Sequence, residues 1–117
     1  MAEVTTEAYQ DLRDYIEDNW DYIEFRDDAD NPVVRLGVSD PRIEWSHTAG
    51  DQELEITAVL RGDDGDITTP QTISKSLIFK QDTGGDPLSV EELTEFTIEQ
   101  DDDELTVKHK IQVPQIV

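Results

Sequence analysis

The sequence predicts a mainly β fold: a small antiparallel β-sandwich or barrel preceded by one amphipathic α-helix. Three observations predict this class. Apolar residues recur at helical spacing in residues 5–20, and from Tyr22 onward they alternate with polar residues in about seven short segments. Clusters of Asp, Asn, Gly and Pro separate these segments and indicate turns. Because the 117 residues contain no linker, we expect one domain that spans 1–117.

The helix is predicted at about residues 5–20. Thr5 is a suitable N-cap, and Glu7 places a carboxylate in the first turn, where it complements the helix dipole. A helix beside a β domain either covers an open face of a sheet or docks the domain onto another subunit, and the sequence leaves both roles open. The apolar residues of its predicted face are Ala8, Leu12, Tyr15, Ile16 and Trp20.

A first hairpin is predicted around a turn at residues 48–51. The predicted cross-strand pairs are Trp45 with Leu54, Ile43 with Ile56, and Glu44 with Glu55. The last pair sets like charges opposite each other, which is normally destabilising. Concentrated salt would screen that repulsion.

A second hairpin is predicted around the acidic tip at residues 101–104. Its descending strand alternates strictly from Leu105 to Val113. A further strand, at residues 72–79, lies between the two hairpins and ends before the Gly84-Gly85 turn. The predicted pairs of the second hairpin are Ile98 with Val107, Phe96 with His109, and Glu95 with Lys110.

The charge of the chain indicates where it works. Twenty-nine Asp and Glu against nine Lys and Arg give a formal charge of -20, whereas a small domain usually carries a net charge of about 2 to 8 in magnitude. Such an excess repels itself in dilute buffer, but the screening length falls to about 3 Å at 1 M salt. A folded chain with few lysines and this charge is therefore expected to be halophilic.

Composition also excludes several classes of function. A chain this acidic and without a basic stripe is not expected to bind nucleic acid. The absence of cysteine excludes disulfides and thiolate chemistry. We expect no membrane association, because no apolar run approaches a span and the first residues do not resemble a signal peptide. The expected location is the cytoplasm, or a particle assembled there.

Few residues suggest chemistry. His47 falls at a hairpin end, and His109 lies within an apolar alternation, which favours a core or interface imidazole over a catalytic one. We therefore predict no enzyme activity and no cofactor. Clustered carboxylates at turns are weak candidates for a divalent cation site, and solvated acidic turns are the plainer interpretation. The weak metal candidates are Asp63, Asp64 and Asp66.

Residues 73–113 resemble small β-sandwich modules in structural proteins of tailed phages and haloarchaeal tailed viruses. The resembling features are a strand ending in Leu77-Ile78-Phe79, the Gly84-Gly85 turn, a strand at Thr97-Ile98, and the final strand begun by Asp103-Glu104-Leu105-Thr106-Val107. The resemblance implies a non-enzymatic virion component: a capsid decoration or turret protein, a tail protein, or a head-tail joining protein. It implies no site residues.

Two functions are therefore expected as alternatives. The first is a structural subunit of a haloarchaeal virion that forms homo-oligomers and docks to other virion subunits. The second is a cellular halophilic binding or accessory module. In the first case the terminal segments are expected to supply the contacts, because Pro114 cannot donate to a central ladder and suggests an edge. The predicted interface residues are Leu12, Ile16, Val113, Ile116 and Val117.

Overall fold

The computed structural model describes residues 1–114, and it contains one helix followed by seven strands. The mainly β class and the single N-terminal helix are therefore confirmed. Helix α1 spans Thr6–Asn19, and the strands are β1 (Tyr22–Arg26), β2 (Pro32–Gly37), β3 (Ile43–Ser46), β4 (Glu53–Arg61), β5 (Gln71–Phe79), β6 (Ser89–Ile98) and β7 (Glu104–Gln112).

The strands form two antiparallel sheets. Sheet A has the order β2-β1-β5-β6, and sheet B has the order β3-β4-β7. Alternating side chains of both sheets meet in one core, as in a β-sandwich. The strands thus form two packed sheets, which decides for the sandwich over the barrel. The fully buried apolar residues include Ile23, Phe25, Leu54, Ile56, Leu60, Ile73, Ile78 and Ile98.

The register of the first hairpin differs from the prediction by two residues. Ile43 pairs with Ala58, and Trp45 pairs with Ile56. A shift of two keeps each side chain on its predicted face, because the period of a strand is two. The predicted contact between Glu44 and Glu55 is wrong, since Glu44 lies opposite Thr57.

The second predicted hairpin is wrong. β6 and β7 belong to different sheets, and the connection at residues 99–103 crosses from sheet A to sheet B. Inward-facing residues alternate in the same way whether the next strand lies beside its predecessor or in the opposite sheet, so the pattern did not distinguish the two. The observed pairs are Ile98 with Gln71, Phe96 with Ile73, Val107 with Ala58, His109 with Ile56, and Lys110 with Glu55.

The helix caps one end of the sandwich and does not cover a sheet face, in contrast to the first predicted role. Thr5 accepts a hydrogen bond from the Ala8 amide at 3.2 Å, as expected of an N-cap. Gln10 accepts a bond from the Gly50 amide in the β3–β4 turn, and the Lys80 ammonium after β5 donates to the Tyr15 hydroxyl. These contacts lie at one end of an elongated molecule of 54 × 26 × 25 Å.

The buried stripe of α1 is also rotated from its predicted position. Arg13 and Ile16 are the buried helix residues, whereas Leu12 and Tyr15 are each 49% exposed. The long aliphatic stem of an arginine can pack like an apolar side chain, and an apolar periodicity count overlooks it. Within residues 1–114, no helix is long and apolar enough to cross a bilayer.

Candidate functional site

The edges of β6 and β7 form one open side of the sandwich. Each strand is the last of its sheet. They lie at the same side, because Ser89 of β6 reaches His109 of β7 across the core. The opposite side is formed by β2 and β3, which residues 38–42 connect directly. We call the β6 and β7 side the open side.

A groove of about 580 Å³ runs along the open side at the end nearest the helix. Its walls combine apolar surface from both sheets with one acidic and one basic side chain. A volume of this size is typical of a pocket that receives a ligand or a side chain of another molecule. The lining residues are Trp20, Glu53, Leu88, Ser89, Val90, Lys110, Ile111, Gln112 and Val113.

His109 lies beneath this groove with both ring nitrogens in hydrogen bonds. Ser76 Oγ lies 2.7 Å from Nδ1, and Ser89 Oγ lies 2.8 Å from Nε2. The imidazole is fully buried, and its burial lowers its pKa to about 4. A neutral ring between two hydroxyl groups satisfies every polar atom. The predicted core imidazole is confirmed, and it joins the two sheets.

The backbone at the open side is partly covered by a carboxylate. The Lys110 amide donates to Glu91 Oε2 at 2.8 Å, across from β6. This amide points away from β4, so it is one of the donors that β7 presents at its edge. A side-chain acceptor at such a position blunts an edge that would otherwise pair with another chain.

Large apolar side chains remain exposed on and beside β6. Leu88 is 40% exposed, Val90 is 52% exposed and Phe96 is 37% exposed. An apolar group of this kind on a small acidic domain is typical of a contact surface. Phe96 was predicted in a hairpin interior, and Val90 was not predicted at a surface site. The exposure of both side chains follows from the edge position of β6.

The end of the groove is fixed to the helix through Arg13. Its guanidinium donates to the Val113 carbonyl and, at 3.2 Å, to Gln10 Oε1. The Val113 amide donates in turn to the Gln52 carbonyl at 2.8 Å. Both backbone polar groups of Val113 are therefore hydrogen-bonded, the carbonyl to the helix and the amide to Gln52 before β4.

The predicted interface residues are distributed unevenly. Val113 lines the groove, and Leu12 is half exposed on the helix. Ile16 is only 6% exposed because it packs into the core of its own chain. Ile116 and Val117 lie outside the described residues.

The weak metal candidates surround an arginine. Arg42 contacts Asp64 at 3.1 Å and Asp66 at 2.8 Å, and it also pairs with Asp40 at 2.9 Å. This guanidinium lowers the pKa of the Asp66 carboxyl by hydrogen bonding, and Asp63 stays exposed. In residues 1–114 no group of three or more His, Asp or Glu is arranged to hold a metal ion. The charge that balances Asp64 and Asp66 is thus supplied by Arg42.

Two of the acidic turns have specific roles in the backbone. Asp27 Oδ1 accepts from the Ala29 and Asn31 amides, and these bonds lower its pKa. Asp103 Oδ2 accepts from the Glu99 and Gln100 amides at 2.8 and 3.0 Å, which lowers its pKa as well. Asp27 and Asp103 therefore shape their turns, beyond the general hydration expected of acidic residues.

Comparison with protein-family models, curated proteins and solved structures finds no match to this chain.

Proposed function

We propose that the protein is a non-enzymatic structural subunit that works at high salt and docks through the open side of its sandwich. The observation that carries this proposal is the exposure of three apolar side chains on and beside the edge strand β6: Leu88 and Val90 line a groove of about 580 Å³, and Phe96 lies farther along the strand. Edge strands and apolar grooves are the two features through which β domains commonly bind other chains.

The surroundings of His109 support a structural role over a catalytic one. The ring is fully buried, its pKa is lowered to about 4, and both nitrogens already contact serine hydroxyls. A general base is most effective with a pKa near the working pH. This imidazole instead serves as a polar link between the sheets.

The charge supports the high-salt part of the proposal. At -20, the surface repels itself unless salt screens it, and the same salt strengthens the burial of apolar surface between subunits. Docking through apolar side chains is favoured by concentrated salt. Interactions between charges farther apart than the screening length of about 3 Å are lost there, whereas oppositely charged side chains in direct contact are affected least.

We further propose that the assembly into which this subunit docks is the virion of a haloarchaeal tailed virus, assembled in the host cytoplasm. The resemblance of residues 73–113 to virion β-sandwich modules supports this assignment, and it implies a component of the capsid, the neck or the tail. The other candidate is a cellular halophilic accessory module, which the same open side would suit.

The direct test is the composition of particles purified in molar salt from the host that carries the gene. We expect the protein in the particle fraction at a fixed ratio to the major capsid or tail protein. Its absence from particles, together with its presence in uninfected cells, would replace the virion proposal with the cellular one.

A matched pair of variants tests the docking site itself. Val90→Asp places a charge beside the groove, whereas Val4→Asp changes a similarly exposed valine, 56% against 52%, ahead of the helix. We expect Val90→Asp to reduce incorporation into particles at least tenfold, the loss that follows from about 1.4 kcal/mol. Normal incorporation of a folded Val90→Asp protein would refute docking through the open side.

A further inference from the structure

We propose that a second copy of this chain closes the open side, related to the first by a two-fold axis parallel to the strands. The inference rests on the proposed docking role of the open side and names its occupant. β6 of each copy would lie beside β7 of the other. The four strands of sheet A would then continue into the three strands of sheet B of the second copy.

The directions of β6 and β7 allow this pairing. β6 ends at Ile98, and β7 begins at Glu104 after five connecting residues, while Ser89 at the start of β6 contacts His109 in the second half of β7. The two strands therefore run in opposite directions across the core. A two-fold rotation about an axis parallel to the strands exchanges the sheets without changing strand direction. β6 and β7 of different copies then meet as antiparallel neighbours, which is the ordinary pairing in these sheets.

The rotation also fixes which residues meet, because it keeps each residue at its level along the strands. Ser89 lies level with His109, and the Glu91 carboxylate lies level with the Lys110 amide. Counting along antiparallel strands places Glu92 level with Thr106 of the second copy from the first contact and with His109 from the second. Lys108 is the outward-facing residue nearest the middle of that range. Glu92 lies on the outer face of sheet A, opposite Lys75, and Lys108 lies on the outer face of sheet B. After the rotation, these two outer faces form one continuous surface, with Glu92 and Lys108 on the same side of it.

The charges of the two edges select this pairing over the others. β6 carries Glu91, Glu92 and Glu95, whereas β7 carries Lys108 and Lys110, two of the four lysines in the chain. Pairing β6 with β6 would set glutamates against one another, and pairing β7 with β7 would do the same for lysines. Opposite charges directly across a ladder stabilise it, and like charges destabilise it.

The exposed apolar side chains on the open side also favour a symmetric contact. Leu88 and Val90, which line the groove, and Phe96, farther along β6, would all lie beside the β7 edge of the second copy. The Lys110 amide, now held by Glu91, would gain a backbone carbonyl of β6 from the second copy. Two-fold dimers of this kind bury the same patch twice, so each favourable contact counts double.

The first test is the dimer dissociation constant by sedimentation in molar KCl, with charge reversals. We expect a dimer for the natural chain. Glu92→Lys and Lys108→Glu should each weaken dimerisation roughly tenfold, because each change enters the interface twice, and the double variant should recover it. Glu44→Lys, on the edge strand β3 at the other side, is the control and should have no effect. A natural chain that remains monomeric, or a double variant weaker than both single ones, would overturn the proposal.

The second test uses the absence of cysteine from the chain. Glu92→Cys and Lys108→Cys in one chain face away from each other on the two outer faces, so they cannot form a disulfide within a copy. We expect mild oxidation to yield a disulfide-linked dimer. The control chain with Glu92→Cys and Glu44→Cys should remain uncrosslinked. Equal crosslinking of the two chains would contradict the proposed axis.

The Val90→Asp variant separates the second copy as occupant from the open side as docking site. A monomer whose incorporation into particles is still blocked by Val90→Asp would show that the open side docks onto a different protein. That result overturns the second copy as occupant and keeps the site. A dimer that forms equally well with Val90→Asp would overturn this interface.

Discussion

The Nδ1 atom of His109 lies 2.7 Å from the Ser76 hydroxyl, so a single imidazole joins the two sheets through the core. Ser89 completes the arrangement at Nε2, at 2.8 Å. Ser76 and His109 are both fully buried, and His109 lies between Val107 and Ile111 on the inner face of β7. Such a polar link holds one relative placement of the sheets, because an unpaired buried polar atom is costly.

We predict that stability decreases as the pH falls below about 6.5, because burial holds the pKa of His109 at about 4. Between these values the unfolded chain binds a proton that the folded protein does not. The free energy of unfolding should therefore fall by roughly 2 kcal/mol between about pH 6.5 and about pH 5, at about 1.4 kcal/mol per pKa unit. Urea unfolding in molar salt measures this slope. His109→Gln should flatten it and His47→Gln should not; an unchanged slope in His109→Gln would contradict the assignment.

Glu24 is the charged centre of the outer face of sheet A. Its carboxylate is 7% exposed and contacts Arg26 at 2.7 Å and Arg35 at 3.1 Å. Arg35 also stacks 3.6 Å from the centre of the Phe79 ring and donates to two carbonyls of the loop after β5, those of Gln81 and Gly84. The carboxylate thus holds two guanidinium groups that organise three strands and a loop.

We predict that Glu24→Gln lowers the free energy of unfolding by about 3 kcal/mol, since it removes the counter-charge of the partly buried Arg35 and leaves Arg26 with Asp30 alone, at 3.3 Å. The control is Glu104→Gln, because its partner Arg61 is 58% exposed and a surface pair of this kind contributes about 0–1 kcal/mol. Chemical denaturation of both variants at the same salt concentration provides the comparison. Equal losses would show that burial of the Glu24 network contributes nothing.

Gly62 allows β4 to end beside the connection between the sheets. A Cβ atom at this position would lie 1.9 Å from the Gln100 carbonyl oxygen, and the Gly62 amide donates to the Asp103 carbonyl at 3.0 Å. We predict that Gly62→Ala costs about 3 kcal/mol, at the upper end for overpacking, because backbone atoms must move. Gly65→Ala, in the same loop with open space around it, should change stability by less than about 1 kcal/mol. Thermal unfolding of the two variants is the measurement. Similar melting temperatures would show that the close approach of residue 62 to Gln100 does not limit stability.

The sequence predicted the elements of this fold better than their pairing. Thr5 and the helical spacing located α1, and alternation located the strands and the inward position of His109. Alternation does not distinguish two registers that differ by two residues. The prediction therefore paired Trp45 with Leu54, whereas Trp45 lies opposite Ile56. Alternation also does not distinguish a hairpin from a crossing between sheets. At residues 99–103 that choice depends on the Gly62 approach and on the Asp103 bonds to the Glu99 and Gln100 amides, which are tertiary features.

The site was predicted less completely than the fold. Val113 was expected at an interface and does line the groove, but the prediction relied on the chain terminus and omitted Val90 and Leu88. Their exposure depends on β6 being the last strand of sheet A, and the apolar periodicity of a sequence does not predict the order of strands in a sheet. The partners of His109, Ser76 and Ser89, lie on other strands, so no local spacing could have revealed them.

We predict that the fold depends on salt. Lowering KCl from molar to millimolar concentration should lower the melting temperature by tens of degrees or unfold the protein, because a charge of -20 is no longer screened. Sucrose at matched osmolarity is the control, because it strengthens burial without screening charge. A melting temperature that is independent of salt would remove the halophilic part of the account.

Hydrogen exchange of the free and assembled protein tests the central claim, docking through the open side, most directly. Assembly in molar salt should protect the amides of β6 and β7, above all those near Val90 and Lys108, while β2 and β3 exchange as in the free chain. The result does not depend on the identity of the partner. Protection confined to β2, β3 or the helix, with β6 and β7 unchanged, would contradict the account.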